Sequence, residues 1–175
     1  MTQLFVVDTS AALAVGSKIL RAFPDAQVII PIAVLRELEG KRQDVLVGAA
    51  ARSCLRELDS LRERGDLKTG VDNGVSTVRV EINHIAQTDL PDSIKNDKST
   101  DTRILAVAKH LKATLISKDL PLRILASVVG VEAKDVPDNI RYDSSLDELQ
   151  TVHVDSDLIA EIYENGHAKG DLDVP

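Results

Sequence analysis

The chain has 175 residues and 19.0 kDa, the length of one domain with an appended segment. Hydrophobic residues make up 43%, yet there are only two Phe, two Tyr and no Trp. The core must therefore be aliphatic, which excludes the aromatic platforms that stack single strands. One cysteine excludes a disulfide framework and an all-cysteine metal site. No run approaches the roughly 20 apolar residues that cross a bilayer, and the first residues do not read as a signal peptide. We expect a soluble, cytoplasmic protein with no membrane partner. The net charge of −7 is local: residues 1–140 hold 19 Lys and Arg against 19 Asp and Glu, and residues 141–175 hold 2 against 9. The expected organisation is a neutral body over 1–140 and an acidic tail or linker over 141–175, partly ordered at most. An acidic tail does not argue against nucleic acid binding to the body.

Leu4–Val7 reads as a short buried strand ending at Asp8, after which Thr9 and Ser10 offer caps for an Ala/Leu-rich helix. Gln27–Ile32 reads as a second buried strand with Pro31 at its end, and Val34–Gly40 as a helix. A longer helix over Val47–Arg64 repeats Ala51, Leu55, Leu58 and Leu61 at helical spacing, with Cys54 beside the stripe as a small core residue. Asp72-Asn73-Gly74 signals a turn, and Val75–Ile82 alternates as a strand, with Val78, Val80 and Ile82 on one face. Residues 86–100 are polar and contain Pro91, so a loop is expected. Asp101 opens an amphipathic helix whose face holds Ile104, Leu105, Ala108 and Leu111. Ala113–Ser117 reads as a buried strand, and Pro121–Val129 as a helix with Gly130 as its cap. In the tail, Asp157–Glu164 reads as a short helix and Gly166–Pro175 as a frayed end. Strands alternating with helices predict an α/β fold on a parallel sheet.

Asp8 and Asp119 each follow a strand, at the carboxyl edge where open parallel sheets bind ligands. Asp101 and Glu37 lie at or near helix starts close to the same edge. Four carboxylates without basic partners repel one another, and a divalent cation relieves that repulsion. Hard oxygen donors suit Mg²⁺ or Mn²⁺ rather than zinc, and one or two such ions would activate water on a phosphate ester. Each residue has a plainer reading: Asp101 as a helix cap, Glu37 as compensation of a helix dipole, and Glu39 as an equal candidate by composition. Other phosphate chemistries fit less well. Gly16-Ser17-Lys18 resembles the end of a P-loop, but Ala11 stands where its first glycine belongs. Ser10 replaces the second Asp of an aspartyl phosphatase, and the four His are scattered.

Four blocks together carry a resemblance. They are Phe5-Val-Val-Asp-Thr-Ser10, Pro31-Ile-Ala-Val-Leu-Arg-Glu-Leu-Glu39, Asp101-Thr-Arg-Ile-Leu-Ala-Val-Ala108 and Ile116-Ser-Lys-Asp-Leu-Pro-Leu-Arg123. In this order they resemble the PIN-domain nucleases. Glu37-Leu-Glu-Gly-Lys-Arg42, Val78-Arg-Val-Glu-Ile-Asn-His84 and Ser117–Arg123 add a likeness to the PIN half of PIN–PhoH proteins, and Asp155–Gly166 resembles the segment after the PIN body in those proteins. The resemblance covers nearly the whole chain. It implies a three-layer α/β/α sandwich around a mostly parallel sheet, and metal-dependent cleavage of single-stranded RNA. By position, the acidic set becomes Asp8, Glu37, Asp101 and Asp119, with Thr9, Ser10 and Ser117 supporting the metal or its waters. The resemblance also implies an antitoxin or a PhoH-type ATPase as partner, and homodimers.

Two departures stand out. In similar proteins an Asn-Asp pair runs straight into the Thr-Arg-Ile-Leu helix, whereas here Lys98-Ser99-Thr100 separates Asn96-Asp97 from Asp101. Spacing to the helix favours Asp101 as the ligand over Asp97, although both reaching the metal is the alternative. No P-loop is present, so ATP-driven translocation is not expected of this chain, which reads as a stand-alone product or an excised domain. Lys41, Arg42, Lys118 and Arg123 lie beside the motifs and are candidates to steer an RNA backbone. The reading is a metal-dependent endoribonuclease. Its alternative is a catalytically weak module that binds RNA or a partner. A nuclease of structured DNA would need more acidic ligands and a helical arch, which the sequence lacks.

Overall fold

The computed structural model describes residues 2–83 and 88–141. Its order is β1 (Leu4–Val7), α1 (Thr9–Val15), a 3₁₀ turn (Gly16–Arg21), β2 (Gln27–Pro31), α2 (Ile32–Gly40), α3 (Gly48–Arg64), β3 (Val71–Asp72) and β4 (Thr77–Glu81). There follow α4 (Asp92–Lys95), α5 (Thr100–Leu111), β5 (Thr114–Ile116), α6 (Leu120–Val128), β6 (Ala133–Lys134) and α7 (Asp138–Arg141). The expected helix at Asp157–Glu164 and nearly all of the acidic tail lie outside the described residues.

The six strands form one sheet in the order β3-β4-β2-β1-β5-β6. Only the β3–β4 pair is antiparallel. The expected mostly parallel α/β sheet is therefore present. Consecutive residues Val6 and Val7 are both fully buried, as are Val28 and Ile29. Successive strand residues face opposite sides, so helices must cover both faces of the sheet's centre. α5 supplies much of that cover: Ile104, Leu105, Ala106 and Ala108 are fully buried. No helix among the described residues is long and apolar enough to cross a membrane.

Several boundaries differ from expectation for local reasons. Asp8, not Thr9 or Ser10, caps α1, because its carboxylate accepts from the Ser10 N–H. α2 starts two residues earlier than expected, at Ile32, with Pro31 as its cap residue. The strand expected over Val75–Ile82 shortens to β4, and Ile82 is exposed. The polar stretch before Asp101 contains the single turn α4. Gly16 does not cradle a phosphate: its φ is 61°, and a Cβ there would sit 2.6 Å from Ser53 Oγ. That close approach lets Ser53 accept from the Ser17 N–H at 2.8 Å.

The turn at Asn73 ties the β3–β4 hairpin to the 3₁₀ segment. Asn73 is 4% exposed. Its Nδ2 donates to the Leu20 carbonyl at 2.8 Å, and its Oδ1 accepts from the N–H groups of Val75 and Ser76 at 3.0 and 2.9 Å. Asn73→Ala strands these buried partners, each at a cost of about 1 kcal/mol or more, and is expected to lower the urea-unfolding free energy by roughly 2–4 kcal/mol. An unchanged urea midpoint would contradict this.

Candidate functional site

β1 and β5 are neighbours, yet the chain leaves β1 towards β2 on one side and leaves β5 towards β6 on the other. Such a reversal opens a crevice at the carboxyl ends of the two strands. The register Val7↔Ile116, with Asp8 N–H donating to the Ile116 carbonyl at 2.9 Å, brings Asp8 beside Ser117. Ser117 is fully buried. It donates to Asp8 Oδ2 at 2.7 Å and accepts from the Asp119 N–H at 3.0 Å. Ser10 Oγ also donates to Asp8 Oδ2 and accepts from the Lys118 N–H at 3.0 Å. Asp119 caps α6, its Oδ1 accepting from the Leu122 N–H at 2.9 Å.

Glu37 is the sixth residue of α2, in its second turn, and the first turn holds no acidic residue. Compensation of the helix dipole therefore does not explain it. Thr9 Oγ1 donates to Glu37 Oε2, whereas Glu39 is exposed and paired with Arg42 at 2.9 Å. The tie between the two glutamates is broken by which of them faces the β1 end.

Asp101 does not cap its helix either. Ser99 does, accepting from the Thr102 N–H at 3.3 Å. Asp97 in turn accepts from Ser99 N–H at 3.0 Å, from Ser99 Oγ at 2.8 Å and from Thr102 Oγ1 at 3.3 Å. The Ser99 hydroxyl, then its N–H, holds the Asp97 carboxyl below the usual range. Asp97 thus spends its carboxylate on ordering the start of α5, a role the sequence pattern alone does not reveal. Ser99 belongs to the same cluster and lies outside the motifs, while Thr102 lies within one; the signal for the pair is a Ser three residues before a Thr at the head of an apolar helix. Asp101 experiences the opposite. Partial burial pushes its carboxyl up, and repulsion from Asp8, Asp119, Glu37 and Asp97, in that order, adds to the shift.

A pattern runs through the four carboxylates. Asp8, Glu37 and Asp119 each give one oxygen to protein donors, and no donor among the described residues reaches the other. Among the described residues, Asp101 accepts no hydrogen bond, and no Lys or Arg pairs with any of the four. Among the described residues, no three His, Cys, Asp or Glu already stand close enough to share one ion. Oxygen donors carrying uncompensated charge fit a hard divalent cation, which would have to draw them closer.

The four basic candidates each sit in an ion pair, half-buried for Arg123 and more exposed for the others. Lys41 pairs with Asp44 at 3.9 Å and Arg42 with Glu39, while Lys118 and Arg123 share Asp135 at 3.9 and 3.2 Å. Exposed pairs of this kind, such as Arg42–Glu39, are worth at most about 1 kcal/mol, so a phosphate can displace the carboxylate. Cys54 is 2% exposed, and burial pushes its thiol up to about 12, as befits a core residue rather than a nucleophile.

A family model for the PIN domain matches residues 5–137. Protein PhoH2 of Thermobispora bispora is 37% identical over 171 residues, covering 94% of this chain and 39% of that protein. Protein PhoH2 of Mycolicibacterium smegmatis is 41% identical over 139 residues, covering 75% of this chain and 31% of that protein. The chain thus spans well under half the length of these curated relatives. Among solved structures, the PIN domain of human SMG5 aligns with a TM-score of 0.45 at 20% identity, covering 79% of this chain and 97% of that one.

The repulsion on Asp101 has a thermodynamic sign. A carboxyl raised on folding binds more protons in the native state, so stability falls as pH rises from its unfolded pKa through its higher folded one. Asp101→Asn is therefore expected to raise the Tm in EDTA at neutral pH, and the gain should vanish as pH falls below the ordinary carboxylate range. An Asn variant that is less stable at neutral pH, or a gain that persists in acid, would contradict the placement of Asp101 among like charges.

Proposed function

Because the chain belongs to the PIN domain family, whose members are generally nucleases, we propose that it is a metal-dependent endoribonuclease that cleaves single-stranded RNA in the cytoplasm. The observation that carries this reading is the set of four carboxylates at the β1–β5 edge, each with an oxygen left unspent and none paired with a base among the described residues. An Mg²⁺ or Mn²⁺ ion, or two, held by Asp8, Glu37, Asp101 and Asp119 would polarise a phosphoryl oxygen and acidify a water for in-line attack.

The chain's own residues set the stage for that chemistry. Ser117 and Ser10 fix one oxygen of Asp8, so its other oxygen has a defined direction. Thr9 does the same for Glu37, and the Leu122 N–H for Asp119. Thr9, Ser10 and Ser117 thus act as supports by holding carboxylates, and Asp97 supports Asp101 by anchoring the turn before it. Outer hydrogen bonds of this type are worth about 10–100-fold in metal affinity or activity. Lys41, Arg42, Lys118 and Arg123 steer the RNA backbone towards the carboxylates by exchanging surface carboxylates for phosphates. The alignment with Protein PhoH2 sequences further supports a PhoH-type ATPase as the functional partner, within one polypeptide or between two.

One observation favours a second reading. Among the described residues, no three of the carboxylates stand close enough to share an ion, as a module that binds RNA or a partner without cleaving would permit. Cleavage of an unstructured RNA in Mn²⁺ or Mg²⁺ separates the two. The nuclease reading expects Asp8→Asn to lower kcat by about a hundredfold or more, because Asp8 would hold the cation that stabilises transition-state charge. Ser117→Ala should cost about 10–100-fold. Full activity of Asp8→Asn, or of the wild type in excess EDTA, would overturn the nuclease reading. No cleavage by the wild type, with RNA affinity unaffected by Asp8→Asn, is the result the binding module expects.

A further inference from the structure

A second feature lies just past Glu37. Two adjoining hollows between the end of α2 and the first turns of α3 share Glu39, Arg42 and Arg52. One continues to Arg56 and Asp59, the other to Gln43. Glu37 and Glu39 are two residues apart on α2 and so face opposite sides of it, which sets the groove across the end of that helix from the carboxylate edge.

The groove is built rather than incidental. A Cβ on Gly48 would meet the Arg42 carbonyl oxygen at 2.8 Å and Arg52 Nη1 at 2.9 Å. Glycine there lets the Arg52 guanidinium lie across the loop and donate to the Arg42 carbonyl. Both carboxylates in the lining are already engaged, Glu39 by Arg42 and Asp59 by Arg62, each at 2.9 Å. Arg52 and Arg56 are left without an ion pair among the described residues. Four residues apart on α3, they point the same way. A guanidinium pair without counter-ions in a shallow polar groove suits phosphate oxygens, which it binds bidentately.

We propose that this groove carries the phosphate backbone of single-stranded RNA beyond the carboxylate edge, with Arg52 and Arg56 as its two principal contacts. The proposal rests on RNA as the substrate of the carboxylate site, and it adds residues that the sequence motifs do not include.

The test is binding rather than cleavage. Anisotropy of a fluorescein-labelled oligouridine is titrated with the full chain in EDTA at several salt concentrations. Each single-strand phosphate contact contributes about 0.7 to the slope of log affinity against log salt. The Arg52→Gln/Arg56→Gln double variant should therefore bind more weakly, with a slope shallower by about 1.4. Arg56→Gln alone should lose about 0.7; its side chain is exposed and holds no bond among the described residues, so folding is not at issue. Arg64→Gln, on the same helix but outside the groove, should match the wild type. Affinity and slope unchanged in the double variant would overturn the groove while leaving cleavage, tested separately with Asp8→Asn, untouched. Unchanged RNA binding together with lost binding of a poly-glutamate peptide would assign the groove to an acidic protein and overturn the proposal. A wild type that binds no RNA would remove both the groove and the RNA substrate.

Discussion

The Ser117 hydroxyl, buried between β1 and β5, is the contact on which the site depends. It holds Asp8 with its proton and the first N–H of the Asp119 turn with its lone pair. That bridge exists because the parallel register sets Val7 beside Ile116, so the two residues after the strands emerge together. A slip of one residue would turn every β1 side chain to the opposite face and send Asp8 away from Ser117. Burial of Val6, Val7, Leu115 and Ile116 on both faces makes such a slip expensive, so the aliphatic core and the carboxylate geometry are one constraint.

The remaining acidic residues attach to that frame by short, local devices. Thr9 follows Asp8 and reaches across to Glu37, coupling α1 to α2. The Asp97–Ser99–Thr102 cluster sets where α5 begins and so where Asp101 stands. Three of the carboxylates have one fixed and one unspent oxygen, and the fourth has two unspent. Nothing in the described residues neutralises them. A fold that collects charge in this way gives up stability unless something positive arrives, which joins the stability of the domain to the chemistry proposed for it.

Much of this is legible in the amino-acid sequence, for identifiable reasons. Runs such as Phe5-Val-Val and Val28-Ile-Ile are too short and too continuously apolar for anything but strands buried on both faces, and each leads into a helix. The positions of Asp8 and Asp119 after such runs set them on one sheet edge. The two-residue strands β3 and β6 are not legible, because pairing with a neighbour defines them rather than local pattern. Ile82 misleads because alternation continues past the point where the ladder ends. Asp97 and Asp101 are distinguishable only in part: spacing favours Asp101, but that Asp97 clamps the Ser99 cap needs side-chain positions. Arg52 and Arg56 look like ordinary solvated charges in the sequence, since their lack of counter-ions depends on which neighbours Glu39 and Asp59 have already engaged.

The proposal that the carboxylates at the β1–β5 edge hold a cation is tested most directly by thermal unfolding of the wild type and Asp8→Asn, each in EDTA and in Mn²⁺. A ligand that binds only the native state stabilises it by RT ln(1 + [L]/Kd), about 2.7 kcal/mol at a hundredfold excess over Kd. The wild type should gain stability with Mn²⁺ in a concentration-dependent way, and Asp8→Asn should lose most of that gain. A wild type indifferent to millimolar Mn²⁺, or an Asp8→Asn variant that responds equally, would contradict a cation held by these carboxylates.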